Sequence, residues 1–175
     1  MADLVNDSGV IRLRLDPVAR EAGGRILASA ALEYRDARDG EWWPLVRLPV
    51  VHLLPGSADV LVSSMQELLQ GSAPGFAWQS GDGSLGLQVG VAEGQGALLL
   101  AEVGMDLALF LAESAGAPRR EGAEAALFRW PVTRAGAVAF AGALRAESEA
   151  LLAPGNADGG AGGSPGGPAG EPDGR

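Results

Sequence analysis

Apolar and polar residues alternate with a period of two near the N-terminus. Ile11, Leu13 and Leu15 face one way, and Arg12, Arg14 and Asp16 the other, which predicts a half-buried β-strand. A second strand is read from Ile26, Ala28, Ala30, Leu32 and Tyr34 on one face and Arg25, Ser29, Glu33 and Arg35 on the other. Asp39-Gly40 then supplies a turn, and a third strand is expected from Trp42 to Leu53. Pro44 and Pro49 lie inside it. Proline cannot donate to a ladder, so this strand belongs at an edge or carries bulges.

Pro55-Gly56-Ser57 ends the strand, and the period changes from two to that of a helix. Leu61, Met65, Leu68 and Leu69 fall on one helical face, Ser57 or Asp59 can cap the start, and Gly71 fits the residue after the end. Alternation returns at Phe76–Gln79 and Leu85–Val91, joined by the hairpin signal Gly81-Asp82-Gly83. A long strand is expected over Leu98–Leu111 and a last one over Leu127–Val132, separated by a polar loop from Glu113 to Glu124. Thr133 is a natural N-cap for a helix reaching about Leu152, with Val138, Ala141, Leu144 and Leu151 toward the core. The order of elements gives an α+β fold: a mainly antiparallel sheet of about six or seven strands with two helices. No short internal repeat is visible, although both β-rich halves end in a helix.

The patterned region starts near residue 8, and residues 1–153 are read as one domain. From Pro154 to Arg175 there are 22 residues, nine of them Gly and four Pro, with no large apolar side chain. Such a segment cannot offset its ordering entropy by burial, so a flexible, disordered tail is expected.

Composition then removes chemistry. All 13 basic residues are Arg, there is no Cys, and His52 is the single histidine. Lysine Schiff bases, a P-loop lysine, thiolate nucleophiles, Cys-based zinc sites and two-histidine metal sites are therefore excluded. No Ser lies in a GxSxG elbow. Gly81-Asp82-Gly83-Ser84-Leu85-Gly86 matches GxGxxG by letter, but alternation follows it where a dinucleotide site needs a helix. The segment reads as a hairpin. No metal, no cofactor and no enzymatic activity are expected.

The net charge is −9 and unevenly spread. Residues 1–50 contribute −1, residues 51–153 contribute −6, and the tail −2. Between Arg47 and Pro118 there is no basic residue, while Asp59, Glu67, Asp82, Glu93, Glu102, Asp106 and Glu113 all fall there. A concentrated negative field disfavours nucleic acid and anionic membrane and attracts a basic protein. Glu102 and Asp106 share a strand face, their Cα atoms about 13 Å apart at 3.3 Å per residue. That exceeds the carboxyl separation of an inverting glycosidase, although side chains could narrow it, so paired-carboxylate catalysis finds little support. Trp42-Trp43 would point to opposite faces of a strand, one ring into the core and the other outward as an interface anchor. The candidate partner-binding residues are Trp42, Trp43, Glu93, Glu102 and Asp106.

The strand Ile11-Arg12-Leu13-Arg14-Leu15, the Trp42-Trp43-Pro44-Leu45 strand and the helix around Met65-Gln66-Glu67-Leu68-Leu69 occur in a suggestive order. Followed by acidic hairpins and a closing Thr133–Leu152 segment, this layout resembles the WapI-type immunity proteins of bacterial polymorphic toxin systems. The resemblance lies in pattern and order and covers nearly the whole domain. It implies a cytoplasmic protein that neutralises a toxin by binding it, with no catalytic residues. The expectation is a non-enzymatic acidic domain that binds a basic protein. A self-associating module of a larger assembly and a small-ligand binder are the alternatives.

Overall fold

The computed structural model describes residues 1–92, 98–106 and 125–153. Its strands are β1 (Ala2–Val5), β2 (Ile11–Arg20), β3 (Ile26–Arg35) and β4 (Trp42–Leu53), then β5 (Gly75–Gln79), β6 (Leu85–Val91), β7 (Leu98–Asp106) and β8 (Ala125–Thr133). Helix α1 (Ser57–Gln70) follows β4, and helix α2 (Arg134–Leu152) follows β8. The α+β class holds, but the single sheet does not. The described residues form two four-stranded antiparallel sheets, ordered β1-β2-β3-β4 and β5-β6-β7-β8. Strand β1, ahead of the region where alternation was legible, was missed because four residues are too few to show a period. The expected continuation of β7 to Leu111, the Glu113–Glu124 loop and the 154–175 tail lie outside the described residues.

Both prolines of β4 act as expected of proline in a strand. β4 is an edge strand, and its register with β3 shifts at two places, leaving Leu45 beside Pro44 and Val50 beside Pro49 as extra residues. The Gly81-Asp82-Gly83 segment is the β5–β6 hairpin turn, with Gly83 at φ 75°.

The two halves repeat one ββββα unit, closely in hydrogen bonding although hardly in residue identity. In the β1–β2 turn, Asn6 N donates to Ile11 O (2.8 Å) and Gly9 N to Asn6 O (3.0 Å). In the β5–β6 turn, Ser80 N donates to Leu85 O (2.8 Å) and Gly83 N to Ser80 O (3.0 Å). Each turn also bonds into the last strand of the opposite half. Asp7 N donates to Pro131 O (3.0 Å), and Gly81 N to His52 O (2.7 Å). The ladders correspond as well: Leu13 pairs with Leu32 and Leu15 with Ala30, as Leu87 pairs with Val103 and Val89 with Ala101.

The helices complete this exchange. Ala58, Leu61, Val62 and Met65 are buried on α1, and Ala137, Phe140, Ala141 and Leu144 on α2, at the same spacing. α2 packs across β1 and β2 of the opposite sheet, α1 packs against β5, and the helices pack on each other. One continuous core results, drawing on both sheets and both helices. Val138, expected inward, is exposed, because Phe140 and Ala137 hold the buried stripe. Gly71 closes α1 in the left-handed conformation (φ 77°) with its N–H on Glu67 and Leu68 carbonyls, as the sequence predicts. The start of α1 differs from the expected cap. Gly56 occupies the cap position without a side-chain bond, and neither Ser57 nor Asp59 takes that role. Thr133 does cap α2, its Oγ1 accepting from Gly136 N at 3.0 Å.

Candidate functional site

The adjacent tryptophans face opposite ways, but neither joins the core; Trp78 and Trp130 are the core tryptophans. Trp43 stands opposite Tyr34 in the β3–β4 ladder, so the two rings project on one face as cross-strand neighbours. Tyr34 continues the face on which Ala28, Ala30 and Leu32 are buried, yet at its end it is 39% exposed. Trp43 is 49% and the bulged Leu45 50% exposed. At the equivalent place in the second sheet Met105 is fully buried. The strip is therefore a point where the two halves depart from one another. Asp36, Asp39 and Glu41 of the β3–β4 turn border it. The Asp36 and Asp39 carboxylates close that turn by accepting from Arg38 N and Glu41 N, each at 2.8 Å.

Trp42 lies on the other face, half-buried beneath the guanidinium of Arg12, 4.1 Å from the ring centroid. Arg12 Nε donates to Glu33 Oε2 at 2.7 Å and Arg12 Nη1 to Asp3 Oδ2 at 3.1 Å. Arg12 is 8% and Glu33 3% exposed. A charge pair this far from water holds its geometry only because each group has its partner. Its neighbour Ala31 is also nearly covered. The first sheet therefore closes its own outer face with side chains, and Trp42 is spent on that closure.

The acidic residues do different work from one another. Asp82 is internal to the latch between the halves. Its carboxylate accepts from His52 N (3.1 Å), Ser80 Oγ (2.6 Å), Ser84 N (3.0 Å) and Ser84 Oγ (2.8 Å). Burial on its own would raise this carboxyl, but the hydrogen bonds outweigh it and hold it below the ordinary value. Glu102 is paired with Arg129 directly across the β7–β8 ladder. Asp59 neighbours Arg145 at 3.7 Å, an exposed contact between the two helices. Asp106 shares the outward face of β7 with Glu102, as the sequence predicts, and its N–H donates to Ser84 O at 2.9 Å. Glu93 lies outside the described residues. The structure thus separates the Trp43 strip from Glu102 and Asp106, which stand on the second sheet.

Among the described residues, the outward face of that second sheet carries small side chains at its centre. Across its centre the ladder runs Gly86, Gly104, Leu127, with Gln88, Glu102 and Arg129 in the next row. Two adjoining open hollows of about 380 and 490 Å³ lie on it, sharing Ala77, Gln88 and Glu102. Sequence reading missed Tyr34, Leu45, Arg129 and these glycines. Tyr34 was legible in principle as the single tyrosine at the end of an alternating strand. Gly86 was masked by its place in the GxGxxG letters. Among the described residues no cluster of His, Asp and Glu is arranged to hold a metal ion, and no helix is long and apolar enough to cross a membrane.

A scan against protein-family models finds no match for this chain, and neither curated proteins nor solved structures match it.

Proposed function

We propose that this chain is a non-enzymatic protein-binding domain, and that it docks its partner on the Tyr34–Trp43–Leu45 strip of the first sheet. The observation that carries the reading is the exposure of two aromatic rings and a bulged leucine together on one strand pair. Large apolar side chains clustered within a polar rim are the usual anatomy of an interface, and Trp and Tyr are its usual anchors. The net charge of −9 favours a basic partner and speeds its approach. A binder of this kind acts by occlusion and needs no reacting group, as in an immunity protein that neutralises a basic toxin.

Site-specific photo-crosslinking tests this. A benzoylphenylalanine is placed at Trp43 or Leu45 in the native host, with Val138 on the exposed side of α2 as control. The expected result is one discrete adduct from positions 43 and 45 and none from 138. The purified partner should then bind Trp43→Ala at least tenfold more weakly, about 1.4 kcal/mol. Adducts of the same pattern from all three positions, or unchanged affinity on Trp43→Ala, would refute the assignment.

A further inference from the structure

We propose that the free edge of β8 is a strand-addition site, which takes a short, extended, basic segment of a partner protein. The orientation of the β8 backbone follows from one bond. Pro131 O accepts from Asp7 N at 3.0 Å, so that carbonyl points away from β7. Along an antiparallel ladder, residues that bond to the neighbour alternate with residues that point away from it. β8 pairs with β7 in unbroken register from Ala125 to Thr133. The N–H and C=O groups of Leu127 and Arg129 therefore point away from β7 as well. Among the described residues these four groups have no backbone partner, and β7 is the only strand beside β8. Leu127 and Arg129 are exposed on one face, and Ala126 and Phe128 on the other are only half-buried. The edge is open from both sides.

The other three sheet edges are closed by the devices that keep edges from pairing. β4, the counterpart of β8 in the first half, is interrupted by Pro44, Pro49 and two bulges. β1 has 4 residues and lies under α2. β5 has 5 residues and lies against α1. On β8 the single proline, Pro131, stands where the β1–β2 turn already caps the edge. Ala125–Trp130 has neither a proline nor a bulge.

Backbone chemistry sets what fits. An extended chain laid antiparallel on β8 exchanges two hydrogen bonds with Leu127 and two with Arg129. Its residue opposite Phe128 faces the core side, where Phe128 packs partly buried, and is best filled by a β-branched or aromatic side chain. A second copy of β8 does not fit. A pairing that uses Leu127 and Arg129 of both copies sets Leu127 opposite Arg129. It also sets Ala125 of each copy opposite Pro131 of the other, where Asp7 already sits. The occupant is therefore a short segment that ends before Pro131. The net charge of −9, with exposed Asp7 at one end of the edge, favours a basic one.

An amide NMR titration of the full chain with the synthetic peptide VTVTVK, its amine free, is the test. Its threonines meet Leu127 and Arg129, and its valines lie on the side of Phe128. In the free protein the Leu127 and Arg129 amides should exchange quickly with solvent, and those of Phe128 and Trp130 slowly. Four backbone bonds, each weak in net terms in water, give an expected Kd on the order of 1 mM. Binding should shift the resonances of Ala126–Trp130 and slow exchange at Leu127 and Arg129. Leu127→Pro removes an outward donor that the ladder does not use, as Pro131 already does, and should abolish binding. Trp43→Ala should leave binding unchanged, which separates this edge from the Tyr34–Trp43–Leu45 strip. With the protein unaltered, the peptide N-methylated at both threonines should not bind, and acetylated VTVTVE should bind more weakly than VTVTVK. Slow exchange of Leu127 and Arg129 in the free protein overturns the proposal, as does the absence of shifts at about 5 mM peptide. Binding that survives N-methylation or Leu127→Pro overturns it too, and equal binding of the two charge forms overturns the choice of a basic partner.

Discussion

At the scale of single residues, one carboxylate does an unusual amount of structural work. Asp82 takes four hydrogen bonds, one from the backbone of β4 and three from its own hairpin. Hydrogen bonds to a buried charged group contribute about 1.5–3 kcal/mol each in favourable settings, and mutual competition reduces their sum. Asp82→Asn, which puts a donor where acceptors are needed, should cost about 2 kcal/mol at pH 7. The sign of the pH dependence follows from the lowered pKa. Above the unfolded-state value, about 3.9, the carboxylate is charged in both states and its stabilisation is fully present. As pH falls through the lower folded value, that stabilisation is lost. Urea unfolding at pH 7, 5 and 3 should therefore show the wild type converging on Asp82→Asn at the acid end. A constant gap between the two proteins down to pH 3 would remove Asp82 from this role. The sequence made Asp82 legible as part of a hairpin turn but not as a latch. Turn letters name a local conformation, whereas the bond to His52 N spans thirty residues. The two tryptophans were legible as facing opposite ways for the same local reason. Their burial was not, because Trp42 is covered by Arg12, a residue of β2 that lies two strands away in the sheet.

At the scale of elements, periodicity was informative where it ran long. β2, β3, β5, β6 and both helices fall where the apolar spacing puts them, and Pro44 and Pro49 correctly marked β4 as bulged and at an edge. Alternation says which residues share a face but not which strand lies alongside, so one sheet and two sheets predict the same letters. On α2, Ala141 and Leu144 are buried and Leu151 packs against the core as expected, and Val138 alone points outward, because Ala-rich helices offer several apolar faces of similar strength and Ala137 and Phe140 take its place. Its two glycines provide a test of that helix. A Cβ at Gly142 would meet nothing within 4 Å, so Gly142→Ala should stabilise the protein by about 0.5–1 kcal/mol. A Cβ at Gly136 would come to 3.1 Å from Thr133 Oγ1, the atom that accepts the Gly136 N–H. Gly136→Ala should give no such gain, since its propensity advantage is opposed by crowding at the cap. Chemical denaturation of the two single variants beside wild type decides this. Equal stabilisation by both would show that the cap tolerates the methyl group and that propensity alone governs α2.

At the scale of the whole molecule, the repeated ββββα unit was invisible in the letters. Equivalent positions conserve a role and not a residue: Asn6 and Ser80 both accept backbone N–H groups within their turns. The pairs Arg12–Glu33 and Gly86–Gly104 occupy one place with opposite chemistry. What the repeat dictates is cooperativity. Each turn bonds into the other half's last strand, and α2 lies on the opposite sheet rather than on its own. A chain ending after α1 would retain β1–β4 but lose the helix that covers β1 and β2. Leu4, Leu13 and Leu15, each almost wholly buried in the intact protein, would be left facing water. At about 25 cal/mol per Å² of apolar surface, uncovering such side chains costs roughly 1.5–3 kcal/mol apiece, comparable in sum with the whole stability of a small domain. Residues 1–72 and residues 73–153, expressed separately, should therefore show coil-like far-UV circular dichroism and no cooperative urea transition. Mixed at equal concentration, they should recover strand and helix signal together with a single transition, because neither half can bury its leucines except against the other. If residues 1–72 fold alone with a sharp transition, the crossed helices are an ornament of packing and the two halves are independent domains.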